Sequence, residues 1–414
     1  MQSVIDASKN GHTDILRGII DMKAADLDTK DANRRTALMW AVTRGHIQCV
    51  ELLVDAKVEL DAYDSECYTA LMRAVELGHA ECVRLLIRAN ADPGVQDGYG
   101  TTALLHAIQK DDIDCVRLLV DAKADLEELF TQSGRTALMW AVEFGRTQCA
   151  QLLLDARADV ASKDYRDYTA LTMAAMSGHA GCVQVLLDAK ADLEARDQHE
   201  GNTVLIKAVQ TGHAGRVQLL VDAGAALDAR NDSGVTPLIK ASQYGLSTCL
   251  QVLVDAKASL ETKDYNDCTA LMHAALYGHA ECVTKLIDAK ADIEARNKQG
   301  KTALMLAGRE EYKRCAELLI DGKANIEAKD NDGCTALMLA ARDGDTFRIP
   351  LLLDAKADLE ARDAEGATAL MLAAGNGHTN CVAVLADAGT IAARRPEQKR
   401  SHISDVPAQR DEKQ

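Results

Sequence analysis

The feature that most constrains this chain is a threonine that returns at a nearly fixed interval. It opens a Thr-Ala-Leu-Met-like segment, and the interval is 33 residues except for two steps of 34. These threonines are Thr36, Thr69, Thr102, Thr136, Thr169, Thr203, Thr236, Thr269, Thr302, Thr335 and Thr368. A repeat of this length buries its apolar face only against neighbouring copies. The 414 residues therefore need no division into globular domains, because a stack of repeats grows without a domain boundary.

Within one repeat, the pattern of apolar residues predicts two helices separated by a tight turn. In the segment Cys268 to Glu294, TALMHAALYG predicts the first helix and AECVTKLIDA the second, with Gly278 and His279 between them. Threonine is a favourable N-cap for the first helix. Apolar residues recur at i, i+3 and i+4, which is one helical face. Most connections carry glycine two residues before the threonine, which suits a turn with positive φ.

The period and three recurring motifs resemble the ankyrin repeat family. These motifs are Thr-Pro-Leu-Ile-x-Ala at Thr236 to Ala241, Gly-His after the first helix, and linkers of the type A-D-L-E-A-x-D. The resemblance covers nearly the whole chain. It implies an all-α, ankyrin-type solenoid of about twelve helix-turn-helix repeats with β-hairpin fingers, whose fingers and first helices line a concave groove. Most repeats carry Ala and Met where the family has Pro and His, so apolar contact replaces the family's Thr–His hydrogen bond.

The repeats predict one continuous solenoid over residues 1–391, followed by a polar tail over 392–414. The first repeat, 1–30, is degenerate. The last repeat, 363–391, is expected to act as a cap, since it has Ala386 where the others carry a larger aliphatic residue. The tail contains few apolar residues to form a core, so we expect it to be disordered.

Local departures from the repeat carry structural expectations. Pro350 predicts a shortened second helix, and Glu311-Tyr312, in place of Gly-His, predicts a distorted turn. Basic residues follow most second helices where the family usually has glycine. If this place is left-handed, each costs roughly 1 kcal/mol relative to glycine, partly offset by about 0.3–1 kcal/mol from a cation at a helix C-terminus. They are Lys57, Lys123, Arg157, Lys190, Lys257, Lys290, Lys323 and Lys356.

Composition and charge exclude several classes of partner. A formal net charge of −16 argues against binding a phosphate backbone, so no nucleic-acid partner is expected. The chain begins without a basic region followed by an apolar run, and no window approaches the roughly 18 apolar residues of a membrane span. We therefore expect a cytoplasmic (intracellular) monomer without membrane insertion, whose 12 cysteines are reduced thiols.

The sequence contains a series of His-x-x-Cys pairs, each of which could be half of a zinc site. They are His46/Cys49, His79/Cys82, His179/Cys182, His279/Cys282 and His378/Cys381. In the repeat frame the histidine falls at the turn and the cysteine on the buried face of the second helix. Stacked helices lie about 8–10 Å apart, which exceeds the roughly 4.4–6.8 Å between Cα atoms in a disulfide. We therefore expect the cysteines to be small buried hydrophobes.

Motifs for catalysis are missing from the sequence. It contains no G-x-S-x-G, H-E-x-x-H, Walker-type or kinase motif. Carboxylates that recur once per repeat indicate a solvated acidic stripe. The sequence therefore predicts no enzyme activity, no catalytic residues, no metal and no cofactor.

The candidate binding residues lie in the fingers and first helices, where most of the aromatic side chains are found. The predicted core is filled by Leu, Val, Ile, Ala, Met and Cys, so it does not need these aromatic rings. Tyr, Trp and Arg are enriched at interface hot spots. The place four residues after each threonine varies between repeats, as a surface that recognises a partner requires. The candidate partner-binding residues are Trp40, Tyr68, Arg73, Tyr99, His106, Trp140, Phe144, Tyr165, Tyr168, Lys207, Lys240, Tyr244, Tyr265, His273 and Tyr277.

The function that these features predict is a scaffold or adaptor that binds another protein through the concave face, without catalysis. One alternative is a structural or elastic spacer with no specific partner, in which the variable place reflects drift. Another is a groove that binds a small ligand or carries out catalysis. That alternative requires a deep pocket with convergent polar groups.

Overall fold

The computed structural model describes residues 3–23, 25–130, 133–308 and 313–389. Throughout these residues, pairs of antiparallel helices recur at the spacing of the threonines, which confirms the all-α repeat fold. The predicted turn at Glu311-Tyr312 and the predicted disordered tail, 392–414, lie outside the described residues.

The chain forms two compact units, of which the first covers residues 1–208 and 222–225. Its helices are α1 (Val4–Lys9), α2 (Thr13–Asp21), α3 (Ala37–Thr43), α4 (Ile47–Asp55), α5 (Ala70–Glu76), α6 (Ala80–Arg88), α7 (Ala103–Lys110), α8 (Ile113–Asp121), α9 (Ala137–Glu143), α10 (Thr147–Asp155), α11 (Ala170–Ser177) and α12 (Ala180–Asp188). Each first helix packs on the first helix of the next repeat, and each second helix on the next second helix. The unit is therefore two layers of helices.

The second compact unit covers residues 209–221 and 226–414. The division falls in the seventh repeat, α13 (Val204–Gln210) and α14 (Ala214–Asp222). The helices that follow are α15 (Pro237–Tyr244), α16 (Ser247–Asp255), α17 (Ala270–Leu276), α18 (Ala280–Asp288), α19 (Ala303–Leu306), α20 (Lys313–Asp321), α21 (Ala336–Asp343), α22 (Arg348–Asp354), α23 (Ala369–Gly375) and α24 (379–389). The two-layer packing of first and second helices recurs here.

The threonines begin the first helices as the sequence predicts. Thr36 Oγ1 accepts a hydrogen bond from the Met39 backbone N–H at 3.3 Å, and most of the other threonines cap their helices in the same way. Such a cap contributes about 1 kcal/mol. Behind the cap, Leu38 and Ala41 are buried. The small side chain of Ala41 lets neighbouring helices approach closely.

The core also contains an aromatic ring from a finger. Phe130 is 0% exposed and is the bulkiest of the fully buried side chains. Its backbone N–H donates to the Arg135 carbonyl at 2.9 Å, which is one of two isolated β-bridges among the described residues. The fingers are thus turns with almost no strand structure, and Phe130 serves packing.

Basic residues after the second helices adopt the predicted left-handed conformation. At all eight positions from Lys57 to Lys356, φ lies between 58° and 70°. The shortened helix predicted from Pro350 is also confirmed, since α22 has seven residues whereas other second helices, such as α18, have nine.

The His-x-x-Cys pairs have structural roles. The His279 ring nitrogen Nε2 lies 3.0 Å from the Gln243 carbonyl oxygen in the preceding repeat, and the ring packs over Gly245, where a Cβ would lie 2.4 Å from it. All 12 cysteines are free thiols, and those on the second helices are buried, as predicted. Burial in apolar surroundings raises the pKa of Cys282 to about 11, so this thiol stays neutral.

None of the helices in the described parts of the chain has the length and apolar character required to cross a bilayer.

Candidate functional site

Most fingers are held by an aspartate or asparagine five residues before the threonine, or six in one repeat. Asp64 Oδ1 accepts backbone hydrogen bonds from Glu66 at 2.9 Å and Tyr68 at 3.1 Å. The same pair of bonds recurs at Asp31, Asp97, Asp164, Asn231, Asp264, Asn297, Asp330 and Asp363. The sequence interpretation missed this place, although its period matches that of the threonine.

The second oxygen of this carboxylate binds the side chain four residues after the threonine. Arg73 Nη2 lies 2.7 Å from Asp64 Oδ2. Equivalent contacts join Trp40 to Asp31 at 2.9 Å, His106 to Asp97 at 3.0 Å, Lys207 to Asp197 at 2.7 Å, and His273 to Asp264 at 2.8 Å. The variable place thus ties the first helix to the finger of its own repeat.

Five of the candidates at the variable place, which the sequence predicts to recognise a partner, are buried. Arg73, His106, Lys207, Lys240 and His273 are only 6–9% exposed. Four of them, Arg73, His106, Lys207 and His273, are also bound to a carboxylate, and such buried side chains offer little surface to another molecule. These five candidates are therefore largely buried in the free chain.

Electrostatics strengthen the tie between Lys207 and Asp197. Burial alone would raise the pKa of the Asp197 carboxyl, but hydrogen bonds from Lys207, the Glu200 N–H and Asn202 outweigh burial and lower the pKa to about 2. The pKa of the Asp64 carboxyl is lowered too, because the effect of burial, which would raise it, is outweighed by the hydrogen bond from the Arg73 guanidinium. Both carboxylates are therefore ionised at neutral pH.

The candidate rings divide by exposure. Tyr99 is 81% exposed and Tyr165 61% exposed. Tyr244, Tyr265 and Tyr277 are also exposed, and all three belong to the second compact unit. The half-buried rings are Trp40, Tyr68, Trp140, Phe144 and Tyr168.

Three of the candidates, Tyr99, Trp140 and Tyr165, line one cleft in the first compact unit, which we call the tyrosine cleft. Its volume is about 690 Å³, and its lining residues are Gly98, Tyr99, Ser133, Arg135, Trp140, Asp164, Tyr165 and Arg166. A second depression of about 620 Å³, lined by Arg166, Tyr168, Gln198 and His199, shares Arg166 with it. Candidates from the fourth, fifth and sixth repeats thus face a common space.

Neighbouring fingers place Tyr165 at the rim of the cleft. Its backbone N–H donates to the Ser133 carbonyl at 3.2 Å. Gly134 has a φ of +68°, and a Cβ there would lie 2.5 Å from the Tyr165 ring. Only glycine accommodates both this conformation and this close approach.

Trp140 lies deeper in the tyrosine cleft. Its ring stacks on Phe144 with centroids 5.3 Å apart, and the Arg135 guanidinium lies 5.1 Å from the ring centroid. The indole N–H is buried and has no hydrogen-bond partner among the described residues. The equivalent Trp40 donates its N–H to Asp31, whereas the sequence here has Thr131 in place of the aspartate. Trp140 therefore adds aromatic surface to the cleft, and among the described residues its N–H lacks the partner that Trp40 has.

A separate cluster could hold a metal ion. A carboxylate oxygen of Asp264, the sulfur of Cys268 and a ring nitrogen of His273 all lie within 4.8 Å of one another, and all three residues are buried. The sequence interpretation missed this cluster, because it considered only the His-x-x-Cys spacing. The signal was the Asp-x3-Cys-x4-His spacing across the finger and first helix.

A family model described as ankyrin repeats (3 copies) matches residues 4–97, 71–164, 171–264, 257–330 and 322–395. Among solved structures, the chain is similar to the human ASB11 ankyrin repeat domain, with 27% sequence identity and a TM-score of 0.48. That similarity covers 54% of this chain and 98% of the ASB11 domain. No curated protein matches the chain.

Proposed function

The chain belongs to the ankyrin repeat family, and from that premise we propose that it is a scaffold or adaptor that binds a partner protein. The observation that carries this proposal is the tyrosine cleft, where Tyr99, Trp140 and Tyr165 meet. Ankyrin repeat proteins generally act as interaction scaffolds. The cleft lies on the side formed by fingers and first helices, so the partner would contact loops that a rigid stack of helices holds in place.

The chemistry of the tyrosine cleft favours an extended peptide segment as the bound element. An apolar side chain of the partner would fill the space between the Tyr99 and Tyr165 rings and pack against the Trp140 ring. Arg166 is exposed at the rim and would pair with a carboxylate. Trp, Tyr and Arg dominate interface hot spots, where truncation costs about 2 kcal/mol or more per residue.

Catalysis is not part of the proposed function. The described residues that line the tyrosine cleft include Ser133 but no histidine or cysteine, so they offer no nucleophile activated by an imidazole. Asp164, the acidic group in the lining, uses Oδ1 to hold its own finger. The lining suits recognition, with aromatic surface and a few polar groups.

The test compares Tyr99→Ala/Tyr165→Ala with a matched control, Tyr63→Ala. Tyr63 is also an exposed finger tyrosine, but it lies outside the lining of the tyrosine cleft. Tagged wild type and variants would capture partners from native lysate, with quantitative mass spectrometry as the readout. We expect the double variant to lose a stoichiometric partner that the control retains.

A photo-crosslinking residue at position 99 would then identify the contact directly, with the same residue at position 63 as the control. If wild type and double variant recover the same proteins in the same amounts, the cleft has no role in binding and the spacer alternative is favoured. If Tyr244→Ala/Tyr265→Ala removes the partner and Tyr99→Ala/Tyr165→Ala does not, recognition belongs to the second compact unit instead.

A further inference from the structure

We propose that Asp264, Cys268 and His273 bind a zinc ion that ties the finger of the ninth repeat to its first helix. One oxygen, one sulfur and one nitrogen ligand lie within 4.8 Å of one another there. The set is independent of the tyrosine cleft, so neither proposal depends on the other.

The three residues are placed by the repeat itself. Asp264 holds the finger, with Oδ1 accepting the backbone N–H groups of Asn266 at 2.8 Å and Cys268 at 2.9 Å. Cys268 directly precedes the N-cap Thr269, and His273 lies in the last turn of α17. The ligands therefore sit on a backbone that is already fixed before any ion binds, which lowers the ordering cost of binding.

The distances suit zinc after a small contraction. Zinc bonds of about 2.0–2.3 Å in a tetrahedral site place ligand atoms roughly 3.3–3.8 Å apart. The present spread, at most 4.8 Å, exceeds this by no more than about 1 Å, which side-chain rotation can close. Asp264 Oδ2 and His273 Nε2 are 2.8 Å apart as a hydrogen-bonded pair, so they would separate slightly when both face the ion.

Two neighbouring features support a ligand at this place. His273 is 7% exposed, and its Nδ1 has no hydrogen-bond partner among the described residues. Buried polar atoms are nearly always paired, so a histidine with Nε2 facing a carboxylate and an unpartnered Nδ1 has hydrogen-bonding capacity that the described protein residues leave unused. Asn297 Nδ2 lies 3.7 Å from Cys268 Sγ, and an amide donor there would stabilise a metal-bound thiolate.

Other repeats contain incomplete versions of the same set. The fourth repeat has Asp97, Thr101 and His106, so the thiol is missing from its set. The eleventh repeat has Asp330, Cys334 and Leu339, so the imidazole is missing there. Among the described residues, the ninth repeat alone brings three such ligands together. The chain thus supplies a matched control for each missing ligand.

The donor set selects the class of metal. A thiolate with an imidazole suits Zn²⁺ or Co²⁺, whereas Mg²⁺ and Ca²⁺ prefer oxygen ligands. On binding, the Cys268 thiol releases its proton to solvent and its sulfur bonds the ion as a thiolate, while His273 binds as the neutral ring. Three protein ligands leave the fourth tetrahedral position for a water molecule.

Cobalt titration of the tag-free full chain under reducing conditions tests the site. We expect wild type to bind one equivalent of Co²⁺, with a sulfur-to-cobalt charge-transfer band in the near ultraviolet, and Zn²⁺ to remove that band. Cys268→Thr reproduces the ligand set of the fourth repeat and should abolish the band. His273→Leu reproduces that of the eleventh and should weaken binding at least about tenfold.

The control is Cys334→Thr, which removes a cysteine at the same place in a repeat that lacks the histidine. It should leave both the band and the single equivalent unchanged. Zn²⁺ should raise the Tm of wild type and Cys334→Thr but not that of Cys268→Thr. A wild type without a charge-transfer band, or a band that persists in Cys268→Thr when circular dichroism shows that variant to be folded, would overturn the proposal.

Discussion

Replacing Lys207 with leucine tests whether the side chain four residues after the threonine contributes to the free energy of unfolding. Lys207 Nζ lies 2.7 Å from Asp197 Oδ2, and the two side chains are 11% and 0% exposed. Lys207→Leu leaves the Asp197 carboxylate buried without its cation. Removing one partner of a buried ion pair typically costs about 3–5 kcal/mol.

The remaining hydrogen bonds of Asp197 reduce the expected cost. Its carboxylate still accepts the backbone N–H groups of Glu200 at 3.0 Å and Asn202 at 3.1 Å, and the Asn202 side chain at 3.2 Å. The expected loss is therefore near the low end, about 3 kcal/mol. The net lowering of the Asp197 pKa, from about 3.9 in the unfolded chain to about 2, corresponds to about 2.5 kcal/mol for burial and all of its hydrogen bonds together, among which Lys207 makes the largest favourable contribution.

The loss should depend on pH in a defined window. Because the folded pKa of Asp197 lies below its unfolded value, its stabilising contribution is fully present above about pH 4 and disappears as the pH falls toward 2. In Lys207→Leu, the contribution from the cation is missing at every pH. The difference between wild type and variant should therefore be largest at neutral pH and shrink between pH 4 and 2.

Urea unfolding followed by circular dichroism would measure the loss. Because long repeat arrays can depart from two-state unfolding, amide exchange across residues 198–210 would localise it. Adding Asp197→Asn to Lys207→Leu reproduces the Asn297 and Leu306 of the tenth repeat, where Asn297 Oδ1 still holds the finger. We expect this double variant to recover at least half of the lost stability. A pH-independent loss, or a double variant no more stable than Lys207→Leu, would refute the reasoning.

Two further predictions concern residues with positive φ. Lys257 has a φ of 70°, so Lys257→Gly should be neutral or stabilising by up to about 1 kcal/mol; a clear fall in Tm would contradict the argument. Gly145→Ala should cost more than about 1 kcal/mol, since φ is +71° and the new Cβ would meet the His179 ring at 2.5 Å. Gly377→Ala, with φ of +75° and open space around it, is the matched control, and equal Tm losses would show that the histidine contact contributes nothing.

The placement of the candidate residues depended on contacts that one-dimensional patterns do not carry. The partner of the variable place lies nine residues upstream in most repeats, as Asp64 does for Arg73, across a finger whose path is not helical. A helical period therefore could not pair them. Tyr99, Trp140 and Tyr165 come together because the fingers of the fourth and sixth repeats and the first helix of the fifth line one cleft.

The sequence by itself determined the repeat, the helix pairs, the capping threonines, the buried thiols and the left-handed lysines, because each follows from local spacing repeated many times. Only the tertiary structure decided which polar side chains are buried and which rings are free. In the folded chain Phe130 and Lys207 are buried and Tyr99 is exposed. Asp264, Cys268 and His273 lie close together there. The physical reason is that burial and pairing depend on the neighbouring finger and helix, and residues at the same place in two repeats can have different neighbours.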